Sequence, residues 1–386
     1  MKRVKNLAIL FILFLVSACS NLGQNNTPTP ATTPTITKTP TQTQTPTPTL
    51  TPTPTPEVYS LEKYNALYAV RSIVISDNGK KALILSEDQN YNVEVFIWDI
   101  TTPNQPLLKV KTNLLDETAA TLSHDGDRLA ISGCAVQTAK AGYSQCQLSE
   151  ILIFDVTGQE IIYEFSVELQ FGIPILNLLF SSSGEELVYY ENGSFYSIID
   201  LETKTVVERL IRSYKGFGTN SSVISPTKPI IAVAVYDGIE IWDLKTHEQV
   251  RLIEGSFTSS YFPGAVTFNS QGNKLVFTGC TATGFEFCAE ESITIYDANA
   301  QKTLSTLPRL PYVVTAISFS PDETVLAYGT RSQGIYLWRL ETSQLIQVEE
   351  FSEIRVSDIE FTPDGKTLII GGNTGLHLFD LSETDF

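Results

Sequence analysis

Seven times along the chain, a run of alternating apolar and polar residues meets a tight-turn signal and resumes as a second alternating run. Period-two alternation gives a strand two distinct faces, so these runs predict β-strands packed against neighbours. The turns are Ser76-Asp77-Asn78-Gly79, Ser123-His124-Asp125-Gly126, Ser181-Ser182-Ser183-Gly184, Ser225-Pro226-Thr227-Lys228, Asn269-Ser270-Gln271-Gly272, Ser320-Pro321-Asp322-Glu323 and Thr362-Pro363-Asp364-Gly365. Each reads as a β-hairpin connection. Immediately before them stand Ile75, Leu122, Phe180, Ile224, Phe268, Phe319 and Phe361, all large and apolar, and the position two residues earlier is apolar except at Ser222. No segment sustains a helical period, and connections this short join antiparallel strands rather than crossover helices.

A third strand in every repeat ends in a large apolar residue followed, six times of seven, by Asp. The pairs are Trp98-Asp99, Phe154-Asp155, Ile199-Asp200, Trp242-Asp243, Tyr296-Asp297, Trp338-Arg339 and Phe379-Asp380, at intervals of 56, 45, 43, 54, 42 and 41 residues. In length and landmarks this array resembles WD-repeat β-propellers over nearly all of residues 57–386. The resemblance implies an all-β fold, a seven-bladed β-propeller of four-stranded antiparallel blades. The Gly-His dipeptide of that family is missing before the first strands, so blade geometry is expected to rest on packing and on the Asp turns.

The last repeat ends barely past its third strand, whereas residues 57–62 precede the first inner strand without a blade of their own. Val58-Tyr59-Ser60-Leu61 is therefore expected to pair with Gly375–Asp380 and close the last blade, which would otherwise present an open edge. Five residues before each turn stand Arg71, Thr118, Leu176, Asn220, Gly264, Thr315 and Ser357. In propellers that place lies near the mouth of the central channel, where Arg71 would be the one strong cation.

The N-terminus has a different pattern. Lys2, Arg3 and Lys5 precede the wholly apolar run Leu7–Val16, and Ser17, Ala18 and Cys19 follow. This is the layout of a signal peptide, with a run too short for the roughly 20 residues that span a bilayer. Val16-Ser17-Ala18-Cys19 resembles the lipobox of bacterial lipoproteins, which implies removal of residues 1–18 and lipidation of Cys19. Between residues 27 and 56, 24 of 30 positions are Thr or Pro, a composition that cannot bury a core. At about 3.1 Å per residue such a stretch forms an extended stalk, here residues 19–56. The expected product is exported and anchored in the cell envelope through its N-terminal lipid only.

Residues 57–386 hold 22 Lys and Arg against 43 Asp and Glu, a net charge of −21. So acidic a surface repels phosphate backbones, which disfavours nucleic acid as a partner.

Four cysteines remain after Cys19. Cys134 and Cys280 each lie 11 residues after the start of a turn, and Cys146 and Cys288 each lie eight before the aromatic residue of an Asp pair. Equivalent places in the second and fifth repeats, bracketing the insertions that lengthen them, predict disulfides Cys134–Cys146 and Cys280–Cys288. A four-thiolate metal site would require the two pairs to meet across the ring.

Three histidines, His124, His247 and His377, fall in separate repeats and assemble no base, nucleophile and orienting group. No cofactor or metal is called for, and the chain reads as a monomeric binding platform rather than an enzyme. On the face where one blade passes to the next lie Phe171, Phe217, Tyr261, Phe262 and Tyr312, joined by Tyr143, Phe285 and Phe287 of the inserted hairpins. Aromatic residues on a rim suit a protein or glycan partner, and aromatic residues between blades serve the core. An envelope assembly scaffold is the alternative function, followed by a propeller-type hydrolase or lactonase, which would need acids, His or a metal converging on the axis.

Overall fold

The chain divides into two units, residues 1–52 and 53–386. The computed structural model describes residues 58–59, 68–90, 92–100, 107–114, 117–140, 143–169, 175, 177–191, 195–209, 222–235, 238–255, 265–283, 288–310 and 312–381, all in the second unit. The signal segment, Cys19 and the Thr/Pro stretch lie outside the described residues.

The first sheet holds β1 (Val58–Tyr59), β2 (Ala69–Ile75), β3 (Lys81–Glu87), β4 (Val93–Asp99) and β5 (Leu107–Val110). The second holds β6 (Glu117–Leu122), β7 (Arg128–Lys140), β8 (Tyr143–Asp155) and β9 (Glu160–Glu168), and the third β10 (Asn177–Phe180), β11 (Glu186–Glu191), β12 (Phe195–Asp200) and β13 (Thr205–Arg209). The fourth comprises β14 (Ser222–Ile224), β15 (Ile230–Val235), β16 (Gly238–Asp243) and β17 (Glu248–Glu254), and the fifth β18 (Val266–Phe268), β19 (Lys274–Thr283), β20 (Cys288–Asp297) and β21 (Lys302–Leu310). The sixth holds β22 (Val314–Phe319), β23 (Val325–Thr330), β24 (Ile335–Arg339) and β25 (Gln344–Gln347), and the seventh β26 (Val356–Phe361), β27 (Thr367–Gly372) and β28 (Gly375–Asp380). The pairings between these strands are antiparallel and follow chain order, except that β1 lies outside β5. Apart from a one-turn 3-10 helix at Glu349–Phe351, the described elements are strands, and no described helix could cross a membrane.

Seven apolar clusters among the described residues occupy the seven junctions between consecutive sheets, the last against the first included. At that closing seam Val70, Ile73, Ala82, Ile84, Phe96 and Trp98 of the first sheet pack on Ile369 and Leu376 of the seventh. The ring is closed, and the fold is the seven-bladed β-propeller that the repeat predicts. Burial of each such aliphatic side chain contributes about 1.5–3 kcal/mol, which makes the junctions the main source of cohesion.

The landmark residues act as local chemistry requires. In the first, second, sixth and seventh turns a Ser or Thr hydroxyl donates to the third residue, as Ser320 Oγ does to Asp322 Oδ1 at 2.6 Å and Thr362 Oγ1 to Asp364 Oδ1 at 2.7 Å. The Asp that ends a third strand accepts backbone N–H groups of the following turn: Asp200 from Thr203 at 2.7 Å and Asp297 from Ala300 at 2.7 Å. Those turns resolve through a left-handed residue, among them Lys204 at φ 56° and Gln301 at φ 57°.

Closure differs from expectation. Val58 and Tyr59 pair with Leu108 and Leu107 on the outer edge of the first sheet, not with Gly375–Asp380, and the seventh sheet has three strands among the described residues. The segment leads into β2 and finds an open antiparallel edge on its own sheet. The ring is instead shut by side packing. Ile73 N–H donates to Asp358 Oδ2 at 2.8 Å and Ser72 Oγ donates to the same oxygen at 3.1 Å. Gly79, in the left-handed region at φ 66°, lies so close to Pro363 that a Cβ would come within 2.2 Å of its ring.

Candidate functional site: two extended hairpins and the buried carboxylates

Two hairpins break the regularity of the ring. In β7 and β8 the pairing with outer neighbours stops at Gly133 and Leu148, and the two strands continue alone to the pair Lys140 and Tyr143. In β19 and β20 a shorter extension runs to Thr283 and Cys288. A two-stranded ribbon without a third strand is marginal in water, so a cross-link at its base has a structural reason. Cys134 and Cys146 form that cross-link, with Cα atoms 5.6 Å apart and side chains only 1% and 5% exposed. Cys280 is also disulfide-bonded, and the side chain of Cys288 lies outside the described residues. Beside the staple, Val136 is 44% exposed.

Strand order places both ribbons at the end of the ring opposite the seven aligned turns, together with the connections between blades. Of the aromatic residues expected there, Phe171, Phe217, Tyr261, Phe262, Phe285 and Phe287 fall outside the described residues, as does the side chain of Tyr143. Tyr312 is among the described residues and is partly buried. Its ring stacks on Tyr336 with centroids 5.1 Å apart, Tyr336 stacks on Tyr328, and the hydroxyls of Tyr312 and Tyr328 lie 3.4 Å apart. Tyr312 therefore lids the core between the fifth and sixth sheets rather than offering a free rim. Arg71 is likewise no lone axial cation, because its guanidinium pairs with Glu87.

Sequence alignment on one position of the inner strands missed two buried acids on the last of them. Two and four residues before the seventh turn stand Glu360 and Asp358 on β26, where the sixth repeat has Ser318 and Ala316 and the first has Val74 and Ser72. Asp358 accepts from Ile73 and Ser72 across the closing seam and from Ile359 N on its own strand at 2.9 Å. Glu360 accepts from Ser318 Oγ of the sixth sheet at 2.8 Å. Burial raises both carboxyls above their ordinary values, and for Glu360 the neighbouring Asp358 adds to the effect. At the preceding junction Glu291 of β20, 8% exposed, accepts from Val314 N at 2.9 Å, and burial pushes it up to about 7. A period-two reading of Val-Ser-Asp-Ile-Glu-Phe against the other repeats carries the signal for the buried pair.

The three histidines stay apart. His124 pairs with Asp77 between the first two turns, His247 sits at φ 59° after a third strand, and His377 Nε2 lies 2.9 Å from Thr374 Oγ1. Among the described residues no three His, Cys, Asp or Glu side chains converge as a metal-ligand set.

Fold and landmarks define the class: a seven-bladed β-propeller similar in sequence to WD-repeat proteins. Residues 317–385, spanning the sixth and seventh sheets, match the family model described as the anaphase-promoting complex subunit 4 WD40 domain. A BTB/POZ domain and WD-repeat protein of Acanthamoeba polyphaga mimivirus is 24% identical over 147 residues, covering 37% of this chain and 26% of its own length. TBC1 domain family member 31 of Oryzias latipes is 30% identical over 173 residues, 44% of this chain and 15% of its own. The chain thus spans about a quarter or less of the length of these relatives.

Proposed function

We propose that the protein is an exported lipoprotein of the cell envelope, held by lipid on Cys19 and a Thr/Pro stalk, whose propeller is a non-catalytic binding platform for a protein or glycan. The observation that carries this reading is the pair of ribbons that leave the ring at equivalent places, one stapled by Cys134–Cys146 and the other holding a disulfide at Cys280. A cross-linked ribbon beyond the sheet adds nothing to the core and presents a preorganised edge, which lowers the entropic cost of capture. The aromatic residues of the blade connections and ribbon tips, Phe171, Phe217, Tyr261, Phe262, Tyr143, Phe285 and Phe287, supply the contact area, and Cys280 pairs with Cys288. The similarity to WD-repeat proteins supports a platform rather than a reaction centre.

Two experiments test it. The propeller with both ribbons shortened to two-residue turns, applied to a glycan array and cross-linked in envelope extract, is expected to melt cooperatively and to lose the ligand the intact propeller captures. Retained capture would refute the placement. Feeding cells an alkyne-tagged fatty acid is expected to label the full chain and not Cys19→Ser, and equal labelling of both would refute the anchor.

A further inference from the structure

We propose that Glu360 and Asp358 form a proton-dependent latch for the ring, in which Glu360 stays protonated so that Asp358 can carry the charge that clamps the first sheet to the seventh. The donor sets divide the roles. Asp358 collects three donors, the amides of Ile73 and Ile359 and the hydroxyl of Ser72, which is what an ionised carboxylate needs away from water. Among the described residues Glu360 accepts from one donor, Ser318 Oγ, and it lies two residues along the same strand from that charge. Two ionised carboxylates so placed repel in a medium that screens poorly, and the one with fewer donors keeps the proton.

Among the described residues, no cation on the neighbouring strands relieves the pair. The strands packed on β26 are β2, β22, β23 and β27, and the titratable side chains on them are Arg71, which pairs with Glu87, and Tyr328, which belongs to the tyrosine stack. The two acids link β26 to both of its neighbours, one bond reaching the sixth sheet and two reaching the first. A charge gained at Glu360 therefore acts on two consecutive junctions, including the one that closes the ring.

The sign of the pH dependence follows. A carboxyl whose folded value lies above its unfolded one stabilises the fold fully below the unfolded value, and that stabilisation is lost as pH rises through the folded value. Burial raises Glu360, so the seam is tightest in mild acid and loosens toward alkaline pH.

The test compares the full chain with Glu360→Gln, which imitates the protonated acid, and with Asp358→Asn. From about pH 5.5 to about pH 8.5 the melting temperature of the wild type is expected to fall by about 3 °C or more, and Glu360→Gln should lose at least half of that fall. Asp358→Asn should melt lower than wild type throughout, with reduced hydrogen-exchange protection at Ile73 N–H. Superimposable pH profiles of wild type and Glu360→Gln would overturn the latch. Carboxyl carbon NMR of the wild type gives a reading that needs no variant: a Glu360 titration delayed beyond the ordinary glutamate range is expected, and an ordinary titration would overturn the proposal.

Discussion

The seventh sheet carries acids of two kinds within a few residues of each other. Asp364, in the turn, accepts from Thr362 Oγ1 and from Lys366 N at 3.1 Å in contact with water, and these bonds hold its carboxyl below the ordinary value. Asp358 and Glu360, on the strand leading to that turn, are raised because burial outweighs the donors they reach. The same functional group thus resists acid at the turn end and resists alkali where it is buried. Stability from the turn acid is present above the unfolded value and lost as pH falls through the folded one; the stability that the protonated Glu360 contributes is lost as pH rises. Water and donor count, not residue type, decide which behaviour a propeller carboxylate shows.

The sharpest challenge to this division is steric. Gly79→Ala places a methyl group in a left-handed turn and against Pro363, and is expected to cost about 3 kcal/mol in urea denaturation. A neutral outcome would mean that the turn end contributes nothing to ring closure, which would then rest on the apolar seam and the buried acids. Next in size is Glu291→Gln, expected to match wild type near pH 5 and to exceed it by about 1 kcal/mol near pH 8, because the glutamine no longer has to ionise in the core. Equal stability at both pH values would remove Glu291 from the buried kind. Asp364→Ala is expected to cost about 1 kcal/mol near neutrality and to flatten the loss of stability below about pH 4, read from acid melts. The smallest effect is a gain: Arg339→Asp gives the sixth blade the missing turn acceptor and should add about 0.5 kcal/mol, provided the turn that resolves through Ser343 at φ 57° keeps its shape.

The turn acids were legible in the sequence because they recur. A Ser or Thr two residues before Asp, and a large apolar residue before another Asp, repeat with the period of one blade, and Asp200, Asp297, Asp322 and Asp364 accept bonds within their turns. Blade number and the Cys134–Cys146 staple followed from the same register. What recurs only once was illegible. Asp358 and Glu360 depart from the pattern at two positions of one strand, and alignment on a third position passed over them. Closure was misread for a related reason, since a strand's appetite for an edge does not say which of two edges it meets; β1 took the edge of its own sheet. Tyr312 looked like a rim residue because spacing places it in a connection, while its stacking on Tyr336 depends on a partner in the sixth sheet.

That the ring shuts by packing rather than by a shared strand bears on how it assembles. Six of the seven junctions join neighbours in sequence and can form as the chain is made, whereas the contact of Ile73 with Asp358 spans 285 residues and must wait for the last sheet. Until then both flanks of an unfinished arc expose apolar side chains, Val70 and Ile73 at one end and Ile369 and Leu376 at the other. The interval between synthesis of the seventh sheet and docking of the first is the period of greatest aggregation hazard, and dilution during refolding should favour the closed ring over cross-linked arcs.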